Sequence, residues 1–295
     1  MKKNITTKDL ADIEKMFRAN KWKIDSELFN RYCSLISLLE YDEKELVIEL
    51  SYNFINISLS SYLIELQEAI SEMFLKESHY LNDIKELFVV PLLNLEDYYS
   101  SKRQRFYTKS SHVLTYLFQS TELMYNFFLR EKKINLIDNN LSIPKISGQI
   151  NSSSDKLLIM VDDFIGSGTT ALEALDFIHK KMKIKKKKIK IISIAIHSDG
   201  LSKIINYGVS VYYSKLINKG ISNEDNKNEV DKKIKIMEKI GEKFKNFLNI
   251  SQEEKLGYSS SEALLGMVRT PNNTFPVFHK ENKEKGYYSP FPRSW

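Results

Sequence analysis

The sequence predicts an α/β protein: a parallel sheet of about five strands with helices on both faces, an N-terminal helical region before it and an irregular C-terminal segment after it. Three observations predict this. Residues 1–83 contain neither glycine nor proline and place apolar residues at helical spacing. From residue 84 short apolar runs alternate with helical patterns, the rhythm of successive βα units. Leu157 to Val161 are consecutive apolar residues, with the length and character of a strand buried on both faces. The expected divisions are a helical region over 1–83, an α/β core over 84–215, and a charged helix with a hood-like tail over 216–295.

In chain order, Thr6 or Thr7 caps a first helix bearing Leu10, Ile13 and Phe17 on one side. A second carries Leu28, Tyr32, Leu35, Ile36 and Leu39, and a third, from near Ser58 and Ser60, carries Tyr62, Leu66, Ile70 and Phe74. Leu87 to Val90 reads as a strand ended by Pro91, and Ser110 and Ser111 open a helix with Val113, Leu114, Leu117 and Phe118. Ile134 to Ile137 is a second strand, and residues 138–155, with Pro144, Gly148 and Ser152 to Ser154, form a soft connection. After the strand at 157, further strands are expected over Ile189 to Ile196 and Val209 to Tyr213, with Asp199-Gly200 turning into the helix between them. Residues 222–250 suit one charged helix with Ile234, Met237, Ile240, Phe244 and Leu248 as its apolar stripe. Four of the six prolines lie beyond it, which makes the tail irregular and locally stiff.

Composition excludes several classes of protein. The chain has 295 residues, 42% hydrophobic and 28% charged, and no apolar run approaches the roughly 18 residues of a membrane helix. The N-terminus lacks the apolar core of a signal peptide, and Cys33 is the only cysteine, so disulfides are ruled out and a reducing cytoplasm fits. The five histidines are scattered without ligand spacing, and no membrane partner is expected. The net charge of +6 is concentrated: Lys180, Lys181, Lys183, Lys185, Lys186, Lys187, Lys188 and Lys190 crowd one junction. They complement a helix C-terminus, or meet a nucleic acid or other anionic partner.

The chemistry is concentrated in Leu157 to Thr170. The apolar strand delivers Asp162 and Asp163 into a loop, Gly166-Ser167-Gly168-Thr169-Thr170, that opens a helix with Ala171, Leu172, Leu175 and Ile178. Glycines let the backbone curl so that N–H groups converge, and the helix end adds partial positive charge; a phosphate fits there. The carboxylates at the strand end can accept hydrogen bonds from sugar hydroxyls. No Gly-Lys-Ser/Thr ends the loop, so it is not a Walker A motif, and the acidic pair precedes too few glycines for a dinucleotide fingerprint.

These fourteen residues closely resemble the PRPP-binding signature of type I phosphoribosyltransferases. The resemblance implies that Asp162 and Asp163 hold the ribose 2′ and 3′ hydroxyls and that Gly166, Ser167, Gly168, Thr169 and Thr170 wrap the 5′-phosphate. It implies Mg²⁺ bridging ligand oxygens, with no direct protein metal site. By analogy of order, Glu96 to Lys109 falls at the pyrophosphate loop and 139–154 at the flexible loop that closes over the reacting centre. No short Gly-containing pyrophosphate loop is present; Lys102, Arg103, Arg105, Lys109, Ser110 and Ser111 stand there instead. Purine-salvage members keep a carboxylate where this chain has Gly166, which argues against salvage.

The wider order, with the Thr270-Pro271-Asn272-Asn273-Thr274 tail, resembles phosphoribosyltransferase-like proteins of bacterial antiphage operons, including retron operons. It implies a toxic effector, a glycosyltransferase of pentosyl type, restrained in an oligomer or hetero-complex by operon-encoded proteins and a reverse transcriptase with its RNA/DNA. Asn272 and Asn273 are the candidates for the acceptor pocket. Two other functions fit the residues: a nucleotide-binding regulator without turnover, and a nucleic-acid-associated assembly subunit. The last draws on Tyr98, Tyr99, Phe106 and Tyr107 interleaved with Lys102, Arg103 and Arg105.

Overall fold

A computed structural model describes residues 5–93, 110–137 and 143–293. The chain packs as two compact units, one made of residues 60–216 and one of 1–59 together with 217–295.

The unit of 60–216 holds the five-stranded parallel sheet that the sequence predicts, in spatial order β3-β2-β4-β5-β6. Its elements are α4 (Tyr62–Leu81), β2 (Glu86–Pro91), α5 (Ser110–Leu117), α6 (Thr121–Met124), β3 (Lys133–Leu136), α7 (Ile143–Ser152), β4 (Lys156–Ile165), α8 (Thr169–Asp176), β5 (Ile189–His197), α9 (Ser198–Tyr207) and β6 (Ser210–Ile217). Strand β2 pairs in parallel with β3 and with β4, and β4 with β5, in the register Leu158 to Ile189 and Asp162 to Ser193. All nine residues of β5 are buried, as a central strand covered on both faces requires.

Alternation along β4 sorts the two faces. Leu158 and Met160 join Ile150, Ala171, Ala174, Leu175, Ile178 and Ile204 in one apolar core, which seats α7, α8 and α9 on that face. Leu157, Ile159 and Val161 are equally buried and have the opposite parity. Helix α4 lies along β5, and α5 along β4 and β2.

The α/β unit begins earlier than the boundary at residue 84. Helix α4 lays Leu66, Ala69, Ile70, Met73 and Phe74 inward, so it packs as a sheet helix. A buried polar cluster fixes it: Lys190 of β5 donates to Glu77 at 2.6 Å, and the Tyr212 hydroxyl of β6 donates to the same carboxylate. Burial alone would raise the Glu77 pKa, but those bonds bring it below the ordinary carboxylate value. Glu77 also marks a kink, with φ −125° and ψ 26° inside the helix.

Part of the stretch expected to be a soft connection is helical. Residues 143–152 form α7, which accepts Pro144 in its first turn, where a missing N–H costs nothing. Ile150 anchors it in the core, with Ile146 packed beside it. An apolar pair four residues apart outweighs the Gly and Ser content that reads as loop.

The second unit contains α1 (Thr7–Ala19), α2 (Glu27–Ile36), α3 (Tyr41–Tyr52), β1 (Ile55–Asn56), α10 (Lys227–Leu248), β7 (Leu265–Gly266) and α11 (Pro276–His279). Thr6 caps α1 reciprocally with Asp9. Strands β1 and β7 form a short parallel pair that the sequence pattern does not reveal. The core joins α1 to α3 with α10 and the tail through Phe17, Tyr32, Phe54, Phe244, Phe278 and Phe291. The Phe54 and Phe291 rings stack 4.2 Å apart, so the Pro-rich tail is a packed part of this unit.

His279 in this unit is 4% exposed, and burial, then the charges of Arg293 and Lys280, push its pKa from 6.5 down to about 4. The unfolded chain therefore binds a proton that the folded chain refuses between pH 6.5 and 4. Stability present above pH 6.5 is lost as pH falls through that window, by roughly 3 kcal/mol at about 1.4 kcal/mol per unit. The urea midpoint of the full chain is expected to fall between pH 7 and pH 4.5, and His279→Leu to flatten that dependence.

Candidate functional site

Strand β4 runs through the acidic pair to Ile165, so Asp162 and Asp163 occupy successive strand positions and point to opposite faces. Asp162 shares the parity of Leu158 and Met160, on the α8 side, and is half-buried. One of its oxygens accepts the Asp163 N–H at 3.0 Å. Asp163 is 6% exposed and enclosed on the other side: it accepts the Tyr62 hydroxyl at 3.0 Å and the Ser110 hydroxyl at 2.6 Å. Of the two carboxylates expected to accept sugar hydroxyls, Asp163 is therefore already occupied by two side chains of the protein.

Gly166 to Gly168 form the turn between β4 and α8. Gly168 sits at the helix N-cap with φ +76°, a left-handed conformation that glycine adopts without strain, and no side chain among the described residues caps the helix. Helices α1, α2 and α10 each have a capping side chain from Thr6, Ser26 and Asn226. At α8 the first amide donors are left to a ligand or solvent, with the positive end of the helix dipole behind them. Thr169 and Thr170 are exposed, and the Ser167 and Thr169 hydroxyls lie 3.1 Å apart.

The loop rests on α9. A Cβ on Gly200 would lie 2.3 Å from the Gly166 carbonyl oxygen, and one on Gly168 would lie 3.0 Å from the Gly200 Cα. The two backbones meet with no room for a side chain. His197, fully buried at the end of β5, accepts the Asp199 N–H at 3.2 Å and so sets the start of α9. Lys203, one turn on, donates to the Ser167 carbonyl at 2.9 Å and puts an ammonium beside the loop.

Tyr62, Gly200, His197 and Lys203 escape the sequence reading. Asp199-Gly200 reads as an ordinary turn, and nothing near residue 62 connects it with residue 163. Only packing of α4 and α9 on the sheet brings them to the loop.

Ser110 is the first residue of α5, and its hydroxyl goes to Asp163, while Ser111 is enclosed at 1% exposure. Lys102, Arg103, Arg105 and Lys109, with Tyr98, Tyr99, Phe106 and Tyr107, lie outside the described residues. Asn272 and Asn273 belong to the other unit. Asn272 is exposed; Asn273 is buried, donates to the Ser261 hydroxyl at 3.1 Å and accepts the Ala263 N–H on its carbonyl at 3.1 Å. Its amide braces the loop over Gly257 to Ala263. Among the described residues no group of three or more His, Cys, Asp or Glu could hold a metal ion, and no helix is long and apolar enough to cross a membrane.

A parallel α/β sheet with an acidic strand end feeding an uncapped glycine turn defines a phosphoribosyltransferase-like fold. The model of the PRTase-CE family matches residues 23–293, and the chain belongs to that family. Membership implies an enzyme of transferase type. Comparison with curated proteins gives no match.

Proposed function

We propose that the chain binds PRPP or a related ribose 5-phosphate nucleotide at the Gly166 to Thr170 turn and transfers or cleaves at ribose C1. One observation carries this: α8 starts on Gly168 with its amides uncapped, directly beyond a strand end bearing Asp162. The 5′-phosphate takes the free amides and the Ser167, Thr169 and Thr170 hydroxyls, with Lys203 adding charge nearby. Asp162 accepts a ribose hydroxyl. As the bond from C1 to the leaving group lengthens, positive charge develops on the sugar, and a carboxylate already fixed stabilises it without reorganisation. Mg²⁺ held by the ligand's own oxygens would supply charge neutralisation at the pyrophosphate. Lys102, Arg103, Arg105 and Lys109 are the cations for the leaving pyrophosphate.

The cellular role that the resemblance supports is a toxic effector of antiphage defence in the cytoplasm, restrained by operon partners. A second reading, nucleotide binding without turnover, is favoured by one finding: the Asp163 carboxylate is already bonded to Tyr62 and Ser110.

Calorimetric titration with ribose 5-phosphate and with PRPP, each with and without Mg²⁺, tests the proposal alongside an assay of pyrophosphate release. The two ligands are expected to compete for one site, with release only from PRPP and Mg²⁺. Binding without release selects the second reading. Failure of both ligands to bind at millimolar concentration rejects the ribose-phosphate site.

A further inference from the structure

We infer that the lysine-rich turn between α8 and β5 is a docking surface for a nucleic-acid backbone. It lies at the opposite end of the sheet from the Gly166 to Thr170 turn, about 30 Å away along β5.

In a doubly wound fold the helices run against the strands, so their C-termini gather at the N-terminal edge of the sheet. Several of the lysines serve those ends. Lys188 is buried and donates to the Ile150 and Ser153 carbonyls, closing α7. Lys186 donates to the Tyr207 carbonyl at the end of α9 and lies 3.9 Å from the centre of that ring. Lys180 pairs with Asp176 at 2.8 Å. Complementing helix ends accounts for these three.

It does not account for Lys183, Lys185 and Lys187, and Lys181, although it ends the π-helix Phe177–Lys181 that continues α8, keeps its side chain exposed. All four are exposed, and among the described residues none has an ion-pair partner. The chain has no acidic residue between Asp176 and Asp199. Nearby on other elements, Asp155 is hydrogen-bonded to Ser153, and Lys156 adds another positive charge, itself paired with Glu86 at 3.2 Å. Burial, then the charge of Lys185, with further contributions from Lys187 and Lys156, holds the Lys188 pKa below its ordinary value, against the opposing pull of Asp155. Like charges are thus crowded together, and a polyanion relieves their repulsion.

The surroundings select the polyanion. A lipid surface calls for apolar side chains beside the basic ones, but Ile184 is fully buried and Met182 packs against the sheet core. Two half-buried tyrosines flank the turn instead: Tyr80 donates to the Lys187 carbonyl at 3.4 Å, and Tyr207 lies beneath Lys186. Basic groups with adjacent aromatic rings suit a nucleic-acid strand.

The test is fluorescence anisotropy of a labelled 30-nucleotide single strand with the full chain between 50 and 200 mM salt. The variant is K181Q/K183Q/K185Q/K187Q. The comparison is K227Q/K232Q/K235Q/K283Q, which removes the same charge from the other unit. The turn variant is expected to bind at least about tenfold more weakly at 50 mM salt, with its log–log salt slope reduced by about 2 to 3. The comparison variant is expected to change affinity by less than about twofold. Equal losses in both variants, absence of binding by the unaltered chain, or binding to anionic vesicles but not to the strand would each overturn the inference. Circular dichroism melts of both variants are expected to match the parent, because the altered side chains are exposed.

Discussion

Gly200→Ala is expected to weaken binding of ribose 5-phosphate by about 100-fold, although residue 200 lies on α9, outside the turn that takes the phosphate. The new methyl would sit 2.3 Å from the Gly166 carbonyl oxygen, far inside van der Waals contact, and the obstacle is backbone. Either α9 shifts or the turn does. Moving the turn by about 1 Å spoils the convergence of its amides, a displacement that commonly costs about two orders of magnitude in a preorganised site. Overpacking adds roughly 1 to 3 kcal/mol of lost stability. Ser202→Ala, an exposed change on the same helix, is expected to leave both properties unaltered. Calorimetry and thermal melts of the two variants provide the check. Unchanged affinity in a folded Gly200→Ala chain would show that the phosphate binds elsewhere.

The second large effect separates the two carboxylates. Asp163→Ala removes the acceptor of two hydroxyls, that of buried Tyr62 on α4 and that of half-buried Ser110 on α5. A buried hydroxyl that loses its acceptor costs roughly 1 to 3 kcal/mol, and half-buried Ser110 can turn to water, so a loss of about 1 to 3 kcal/mol is expected. Asp162→Asn keeps size and hydrogen-bonding capacity at a half-buried position. It is expected to change stability by less than about 0.5 kcal/mol while weakening ribose-phosphate binding at least about tenfold. A cycle of Tyr62→Phe, Asp163→Asn and the double variant, read by urea denaturation, measures the coupling directly. Zero coupling would mean that the Tyr62 to Asp163 bond does not hold α4 to the sheet. Equal stability losses in Asp162→Asn and Asp163→Ala would contradict the separation of roles.

Several features were legible because they are local. Five apolar residues followed by two carboxylates, two glycines and a helical pattern state strand, turn and helix within one short stretch. The terminal amides of a helix need only a glycine before them to be left uncapped. The alternation after residue 84 likewise dictates a parallel sheet, because parallel neighbours require crossovers. The β1 and β7 pair was not legible, since two-residue strands carry no periodicity. Helix α7 was obscured by its serines, glycine and proline, and became a helix because Ile146 and Ile150 find the sheet.

By itself, then, the sequence determined the α/β class, the order of its strands along the chain and the segment that carries the chemistry. Each depends on neighbouring residues and on the periods of strand and helix. Tertiary structure alone decided which way the acidic pair faces and what supports the turn. Asp163 turns toward Tyr62 and Ser110 because successive residues of a strand face opposite ways and α4 and α5 occupy that side. Gly200 matters because α9 is drawn against the Gly166 turn by the core beneath it. The division of the chain into units is equally a packing result: α4 is amphipathic like the helices before it, and only its burial against β5 makes it part of the sheet unit.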